Sequence, residues 1–240
     1  MPDAYLWQQG YSAAGDTVSK MKKGNVFIIT GLLLIAAALI LTSYNLWDNY
    51  RAGKTAEAML GQLVPMVETD PVPTQGRIVN GSSESADGVD DGLSAEIEYP
   101  DYILNPGMDM PVKDIDGKKY IGVISIPSID RELPVLSEWN YSNLKIGPCR
   151  YTGSAYLDDF VICAHNYKIQ FGPLRRLNYG DTVTFTDMDG NVFNYKVAEI
   201  VTLQPTAIEE MINSDWDLTL FTCTMGGAAR VTVRCEKVDP

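Results

Sequence analysis

The chain has a single histidine, and its position relative to one cysteine and one arginine suggests a nucleophilic thiol site. His165 follows the apolar run 160–164, and Cys223 follows a second, largely apolar run, 218–222. Arg230 stands seven positions after Cys223, where another strand-like alternation begins. A thiol nucleophile needs a base for its proton and a cation for the developing oxyanion. We therefore predict that His165, Cys223 and Arg230 are catalytic and lie at the ends of neighbouring strands.

Each of these residues also has a purely structural interpretation. A cysteine within an apolar strand is often a small buried hydrophobe, and a lone histidine can be a hydrogen-bonded structural residue. The arginine has a rival, because alternation along a strand puts Arg230 and Arg234 on the same face. The pattern alone does not choose between these two cations.

Composition excludes several classes of protein. The net charge of −12 argues against a nucleic-acid partner, which requires a basic face. The four cysteines form no Cys-x-x-Cys pair, and one histidine cannot complete a Cys/His zinc cluster, so we expect neither a metal nor a cofactor. Cys163 and Cys235 lie within apolar alternations and are expected to be free and buried, whereas pairing of Cys149 stays open.

Residues 25–47 contain no charged side chain and are long enough to cross a bilayer as a helix. Three lysines precede this segment, and by the positive-inside rule they place the N-terminus in the cytoplasm. We therefore predict a single-pass membrane protein whose C-terminal bulk is extracellular. A cleaved signal peptide is the alternative, although no clear small-residue cleavage site follows the apolar run.

The predicted organisation has four parts. A cytoplasmic tail (1–24) precedes the transmembrane anchor (25–47). A flexible acidic spacer with a possible helical start (48–109) follows, because much of it is rich in Pro, Gly, Ser and acid and poor in apolar periodicity. The remainder (110–240) is predicted to be one β-domain.

The β-domain prediction rests on about eight short strands separated by turns, which indicates an all-β barrel or sandwich. Asp189-Gly190 is a strong hairpin turn signal between two of the strands. A short helix is expected over residues 207–212, with Thr206 as its N-cap. The predicted strands are 120–126, 132–136, 149–153, 160–165, 181–186, 192–200, 218–224 and 230–237.

Several of these segments resemble the sortase family, the cysteine transpeptidases of Gram-positive cell surfaces. Residues 219–223, Thr-Leu-Phe-Thr-Cys, resemble the family's Thr-Leu-x-Thr-Cys signature. Residues 164–166 resemble its histidine strand end, 230–233 resemble its arginine strand, and 122–127 resemble its first strand. The resemblance covers roughly residues 110–239, with the motifs in the family order.

This resemblance implies an eight-stranded sortase-type barrel and a specific reaction. The enzyme would cleave a sorting signal of the Leu-Pro-x-Thr-Gly kind between Thr and Gly, and hold the acyl group as a thioester on Cys223. It would then pass that group to an amine of a cell-wall precursor or to a pilin lysine. His165 and Arg230 would complete the catalytic set, Thr222 would contact the substrate, and no cofactor would be needed.

Two other functions stay open at this stage. One is a cysteine peptidase that hydrolyses the same acyl-enzyme with water. The other is a non-catalytic anchored β-domain that binds a surface partner. The subclass of sortase also stays open, because the chain has neither a long insert before residue 218 nor a clear aromatic lid motif.

Overall fold

The computed structural model describes residues 23–67, 77–78, 97–213 and 215–238. The chain divides into two compact units, Met1–Leu46 and Trp47–Pro240. The predicted cytoplasmic tail lies outside the described residues except for its last two. Most of the Pro- and Gly-rich part of the predicted spacer also lies outside them.

The first unit contains the apolar part of a long helix, α1 (Lys23–Val67). Within the described residues, Asn25–Asp48 is the one stretch of helix long and apolar enough to cross a membrane. The predicted helical start of the spacer corresponds to the rest of α1, which continues to Val67.

Four α-helices and eleven strands are present among the described residues, most of them short. Besides α1, the helices are α2 (Asp101–Leu104), α3 (Tyr141–Leu144) and α4 (Ile208–Ile212). The strands are β1 (Arg77–Ile78), β2 (Ile97–Glu98), β3 (Lys113–Ile115), β4 (Lys118–Ile126), β5 (Arg131–Leu136), β6 (Cys149–Thr152), β7 (Phe160–Cys163), β8 (Thr182–Asp187), β9 (Val192–Leu203), β10 (Leu218–Cys223) and β11 (Arg230–Lys237).

Eight of these strands form a closed barrel in the order β4-β5-β6-β7-β10-β11-β9-β8, with β8 pairing back onto β4. Strand β3 extends β4 as a hairpin, while β1 and β2 form a separate two-stranded sheet. The β5–β6 and β7–β10 pairs are parallel, and the other pairs of the barrel are antiparallel. The predicted eight-stranded all-β barrel is therefore confirmed.

Barrel closure depends on a close backbone approach at Gly122. This residue lies beside a register shift in the β4–β5 ladder and pairs with Asp187 of β8. A Cβ atom added at Gly122 would collide with the Thr186 carbonyl oxygen and the Phe185 ring. Glycine is thus required where the last strand of the barrel meets the first.

The barrel encloses a core of aromatic and branched side chains. Phe160, Phe185 and Tyr195 are fully buried, and the first two meet edge to face with ring centroids 4.9 Å apart. Inward-pointing residues alternate with outward ones along β8 and β9, as expected for strands with one apolar face. This core gives the strand ends fixed positions.

Two segments that the sequence assigned to the spacer pack against the barrel. Tyr102 of α2 stacks on Tyr156 with ring centroids 4.6 Å apart and belongs to the core. Leu63 of α1 is fully buried in a second apolar cluster that includes Ile115 and Val123. Burial of an apolar side chain thus holds each of these two segments against the barrel.

The turns agree only in part with expectation. The hairpin at Asp189-Gly190 is confirmed, and Gly190 has the positive φ (85°) that this kind of turn requires. The prediction of Thr206 as an N-cap is wrong, because α4 begins at Ile208 and Ala207 occupies the cap position without a side-chain bond. The backbone carbonyl of Thr206, rather than its hydroxyl, accepts the Ile208 N–H.

Candidate active site

The parallel pairing of β7 and β10 brings the histidine and the cysteine to the same end of the barrel. The register pairs Phe221 with Cys163, so Cys223 and His165 both lie two residues further along. On the other side of β10, the antiparallel register pairs Cys223 directly with Arg230. The three residues predicted to be catalytic therefore come from three adjacent strands.

The same three residues line one cavity of about 250 Å³. One wall is formed by aromatic rings in contact: Trp139 stacks on Tyr151 at 5.6 Å, and Tyr151 meets Phe221 edge to face at 5.2 Å. Tyr141 extends this wall towards solvent and is 78% exposed. The sequence gives no sign of this wall, because its members lie in separate loops and strands without a shared period.

Two side-chain hydrogen bonds hold the β7 and β10 ends together around Cys223. The hydroxyl of Thr222 donates to the carbonyl of Ala164 at 2.8 Å, and the amide of Asn166 donates to the carbonyl of Thr224 at 3.3 Å. Thr222 is buried and borders the cavity. Its observed partner is thus the backbone beside His165, and its role as a substrate contact stays a prediction.

The backbone of His165 is fixed on both sides. Its N–H donates to the side-chain oxygen of the fully buried Gln170 at 3.0 Å, and its carbonyl accepts the Phe171 N–H at 3.2 Å. Phe171 is fully buried in the core, so it anchors this loop to the barrel. The imidazole is therefore attached to a rigid loop.

The ring of His165 stacks on Tyr167 with centroids 4.6 Å apart and planes 22° apart. The Tyr167 hydroxyl in turn donates to the Asp48 carboxylate of α1 at 2.6 Å. Burial lowers the pKa of His165, the Asp48 carboxylate acts in the opposite direction, and the Lys145 ammonium lowers it further. Burial thus favours the neutral imidazole, which can accept a proton.

The four thiols of the chain are all free and differ in exposure. Burial raises the pKa of Cys163 and of Cys235 to about 12, and it raises the pKa of Cys149 as well. Cys223 is only half-buried and lines the cavity. Pairing of Cys149, which the sequence left open, does not occur in this structure, and Cys223 is the thiol that a substrate can reach.

The two candidate arginines have different surroundings. The guanidinium of Arg230 lines the cavity and donates through Nη1 to the carbonyls of Gly227 and Ala229, both at 3.2 Å. Arg234 instead contacts Glu199 at 3.4 Å and lies over the ring of Trp216 at 6.0 Å. This geometry favours Arg230 as the cation that serves Cys223.

Arg234 and Trp216 line a separate hollow together with acidic residues, and none of the three candidate catalytic residues borders it. Within the described part of the chain, no group of three or more His, Cys, Asp or Glu side chains could hold a metal ion. The chemistry available in the cavity is that of a thiol, an imidazole and a guanidinium.

A thiol, an imidazole and a guanidinium at one end of a closed β-barrel are the groups that acyl transfer through a cysteine requires. Residues 124–238 match the family model of the sortase domain, and this part of the chain belongs to the sortase family. Sortase A of Listeria monocytogenes is 28% identical over 127 residues, which cover 49% of this chain and 57% of the Listeria protein. Sortase A of Bacillus anthracis is 25% identical over 209 residues, covering 85% and 89%.

Solved sortases are also similar to this chain. Sortase C from Clostridium perfringens SM101 is 29% identical with a TM-score of 0.45, covering 61% of this chain and 80% of that structure. Sortase C1 from Streptococcus suis is 28% identical with a TM-score of 0.44, covering 50% and 74%.

Proposed function

We propose that this protein is a membrane-anchored cysteine transpeptidase. It cleaves a Leu-Pro-x-Thr-Gly-like sorting signal of surface proteins and transfers the acyl group to an amine of a cell-wall precursor or to a pilin lysine. The observation that carries the proposal is the shared cavity of Cys223, His165 and Arg230. Membership of the sortase family, whose members are cysteine transpeptidases, supports the same reaction class.

In the first half-reaction, the neutral imidazole of His165 takes the proton of the Cys223 thiol, and the resulting thiolate attacks the carbonyl carbon of the signal's threonine. Arg230 stabilises the oxyanion, and its guanidinium has donors beyond the one nitrogen that binds Gly227 and Ala229. The imidazolium of His165 then protonates the leaving amine of glycine as the carbon–nitrogen bond breaks. A thioester on Cys223 and a neutral imidazole result.

In the second half-reaction, the acceptor amine attacks the thioester. His165, now neutral, takes the proton of the incoming amine while Cys223 departs as the thiolate. The imidazolium then returns its proton to the thiolate, so the products are a new amide bond and the starting thiol and neutral imidazole. One imidazole thus carries the proton in both half-reactions, which suits a chain with a single histidine.

The aromatic wall supports a peptide substrate with apolar residues next to the scissile bond. The Leu-Pro part of the signal would pack on Phe221 and Tyr151, two residues whose rings border the cavity. Thr222 borders the same space and is proposed as a substrate contact beside the nucleophile.

The membrane topology is part of the proposal. The apolar span of α1 is long enough to anchor the chain, and the three lysines before it favour a cytoplasmic N-terminus. The barrel would then face the outside of the cell, where sorting-signal proteins and cell-wall amines meet.

The test is incubation of the full chain, in detergent micelles, with a panel of sorting-signal peptides in the presence and absence of an added amine. Mass spectrometry is expected to detect a thioester on Cys223 and a Thr–amine product that appears only with the amine. Cys223→Ala should form neither species, whereas Cys235→Ala should form both.

Each outcome separates the candidate functions. Peptide hydrolysis that an added amine never diverts would make the protein a cysteine peptidase. Absence of any adduct or cleavage across the panel, with the barrel folded, would leave a non-catalytic binding domain and reject the proposal.

A further inference from the structure

Tyr167 and Asp48 form a chain of contacts that leads away from the histidine and onto α1. The Tyr167 ring lies nearly parallel to the His165 imidazole, and its hydroxyl makes a short bond to the Asp48 carboxylate. The two partners of this bond are 119 positions apart in sequence. A hydrogen bond of 2.6 Å to a carboxylate is charge-assisted, which makes it stronger than a neutral one.

Several contacts fix the position of the α1 segment that carries Asp48. About one and a half turns further along, a side-chain atom added at Gly53 would lie 3.2 Å from Ile169, so helix and loop are nearly in contact there. Leu63, further along the same helix, is fully buried. The segment therefore has anchoring contacts of its own, and Asp48 is not required merely to dock it.

The charged groups around His165 make the contribution of Asp48 clear. Arg51 on α1 pairs with Asp48 at 3.3 Å, Lys145 follows α3, and Arg230 borders the cavity with Cys223. Of these groups, Asp48 is the anion that favours protonated His165, while Lys145 and burial oppose protonation. The leaving-amine step needs the protonated imidazole, so an anion is useful at this position.

We propose that Tyr167 and Asp48 are positioning residues of the active site. The Asp48 carboxylate fixes the Tyr167 hydroxyl, the Tyr167 ring holds the plane of the His165 imidazole, and the carboxylate supports its imidazolium form. This inference rests on the proposed role of His165 as proton carrier. What it states, however, is how the imidazole is oriented and how readily it is protonated, and both can be measured without turnover.

Because the chain has one histidine, the experiment needs no resonance assignment. Full-length protein without a histidine tag, labelled at histidine Cε1, is titrated by NMR in detergent micelles. Asp48→Asn is expected to shift the titration midpoint of His165 to lower pH, since only groups that disfavour the imidazolium remain. Glu57→Gln removes the same charge from an exposed position of α1 and should leave the midpoint unchanged.

The stack is tested by a second variant and a second signal. A tyrosine face against the imidazole shields the His165 Hε1 proton, so Tyr167→Leu should move that resonance downfield, while Tyr167→Phe should retain most of the shielding. In turnover assays, Asp48→Asn should lower kcat/KM several-fold and move the pH limb that reports the imidazolium in the same direction as the NMR midpoint.

Two results would overturn the inference: an Asp48→Asn midpoint equal to that of the native protein, or a Glu57→Gln shift as large as that of Asp48→Asn. An unmoved Hε1 resonance in Tyr167→Leu would overturn the stacking part. The NMR readouts require no substrate. If the NMR midpoints and resonances do not change as expected, the positioning role is rejected and the transpeptidase proposal is unaffected. If the native protein shows no turnover, the transpeptidase proposal is rejected and the NMR result still holds.

Discussion

Exposure separates the four cysteines at the scale of single residues. Cys149, Cys163 and Cys235 are buried, and burial raises the pKa of each thiol. Reaction with an alkylating agent requires both access and some thiolate. We therefore expect iodoacetamide at pH 7 to add one label to the native chain, at Cys223.

Intact mass and peptide mapping after brief exposure measure this labelling. Cys223→Ala should take up no label over the same time, and full labelling of all four thiols should require denaturant. A native chain that takes up label at a buried cysteine as fast as at Cys223 would contradict the assignment of the nucleophile.

Alanine variants of Arg230 and Arg234 form a matched pair that tests which cation serves Cys223. Arg230→Ala removes the guanidinium that borders the cavity, and loss of one oxyanion donor typically costs about 3–4 kcal/mol, or about 10²–10³-fold in turnover. Arg234→Ala removes a cation held by Glu199 and Trp216 and should reduce kcat/KM by less than about tenfold. Steady-state kinetics with one peptide measures both variants, and an inactive Arg234 variant beside an active Arg230 variant would reverse the assignment.

At the scale of elements, the β8–β9 hairpin depends on one buried carboxylate. Asp187 is fully buried and accepts hydrogen bonds from the Tyr156 hydroxyl, the Asn191 side-chain amide, and the backbone N–H groups of Asp189 and Asn191. Replacing this carboxylate leaves four hydrogen-bond donors without their acceptor, in or near the core. Asp187→Ala should therefore lower the free energy of unfolding by about 3 kcal/mol or more.

Urea unfolding followed by tryptophan fluorescence measures this loss. Asp189→Ala is the control, because Asp189 is two residues away and exposed, and its side chain should contribute less than about 0.5 kcal/mol. Equal losses in the two variants would mean that the hairpin does not depend on the buried carboxylate.

The elements also show what local sequence can predict. Short apolar runs and the Asp189-Gly190 turn were sufficient to locate the eight strands of the barrel, because alternation and turn chemistry are local properties. The strand-end positions of His165 and Cys223 follow from the same local pattern, because both come directly after apolar runs, while their catalytic roles stay predictions. The prediction of Thr206 as an N-cap fails because a cap residue is defined by the backbone angles at the helix start. That start can move by one or two residues without any change in composition.

Contacts between distant positions were not predictable from the pattern. Barrel closure at Gly122, the aromatic wall and the bond from Tyr167 to Asp48 all join residues whose proximity follows from the completed fold. An isolated aspartate at the end of an apolar helix gives no local sign of a partner 119 positions away. Spacer composition likewise gave no sign that Tyr102 would stack in the core.

At the scale of the whole molecule, the buried thiols predict how stability depends on pH. A thiol whose folded pKa is raised stabilises the fold fully below its unfolded pKa of about 9, and this stability is lost as the pH rises towards the folded value. For Cys163 and Cys235 that window extends from about 9 to about 12. The free energy of unfolding should fall with pH above 9 by up to about 1.4 kcal/mol per pH unit for each buried thiol.

Urea unfolding at pH 8, 9 and 10 measures this slope. Cys235→Ala removes one ionising thiol, so the free energy of unfolding should fall less steeply with pH in this variant. This change in slope does not depend on how the substitution changes stability at pH 8. A free energy of unfolding that stays constant from pH 8 to pH 10 would show that the thiols ionise equally well in the folded chain.

The seating of Leu63 in the same apolar cluster as Ile115 and Val123 has a practical consequence for expression work. A recombinant fragment that begins near residue 100 would lack Leu63. The apolar side chains of Ile115 and Val123 would then be more exposed to water, and exposed apolar patches promote self-association. The same cut would discard Asp48. Fragments that begin at Trp47 would keep both residues, and they are the better starting point for crystals and for assays free of detergent.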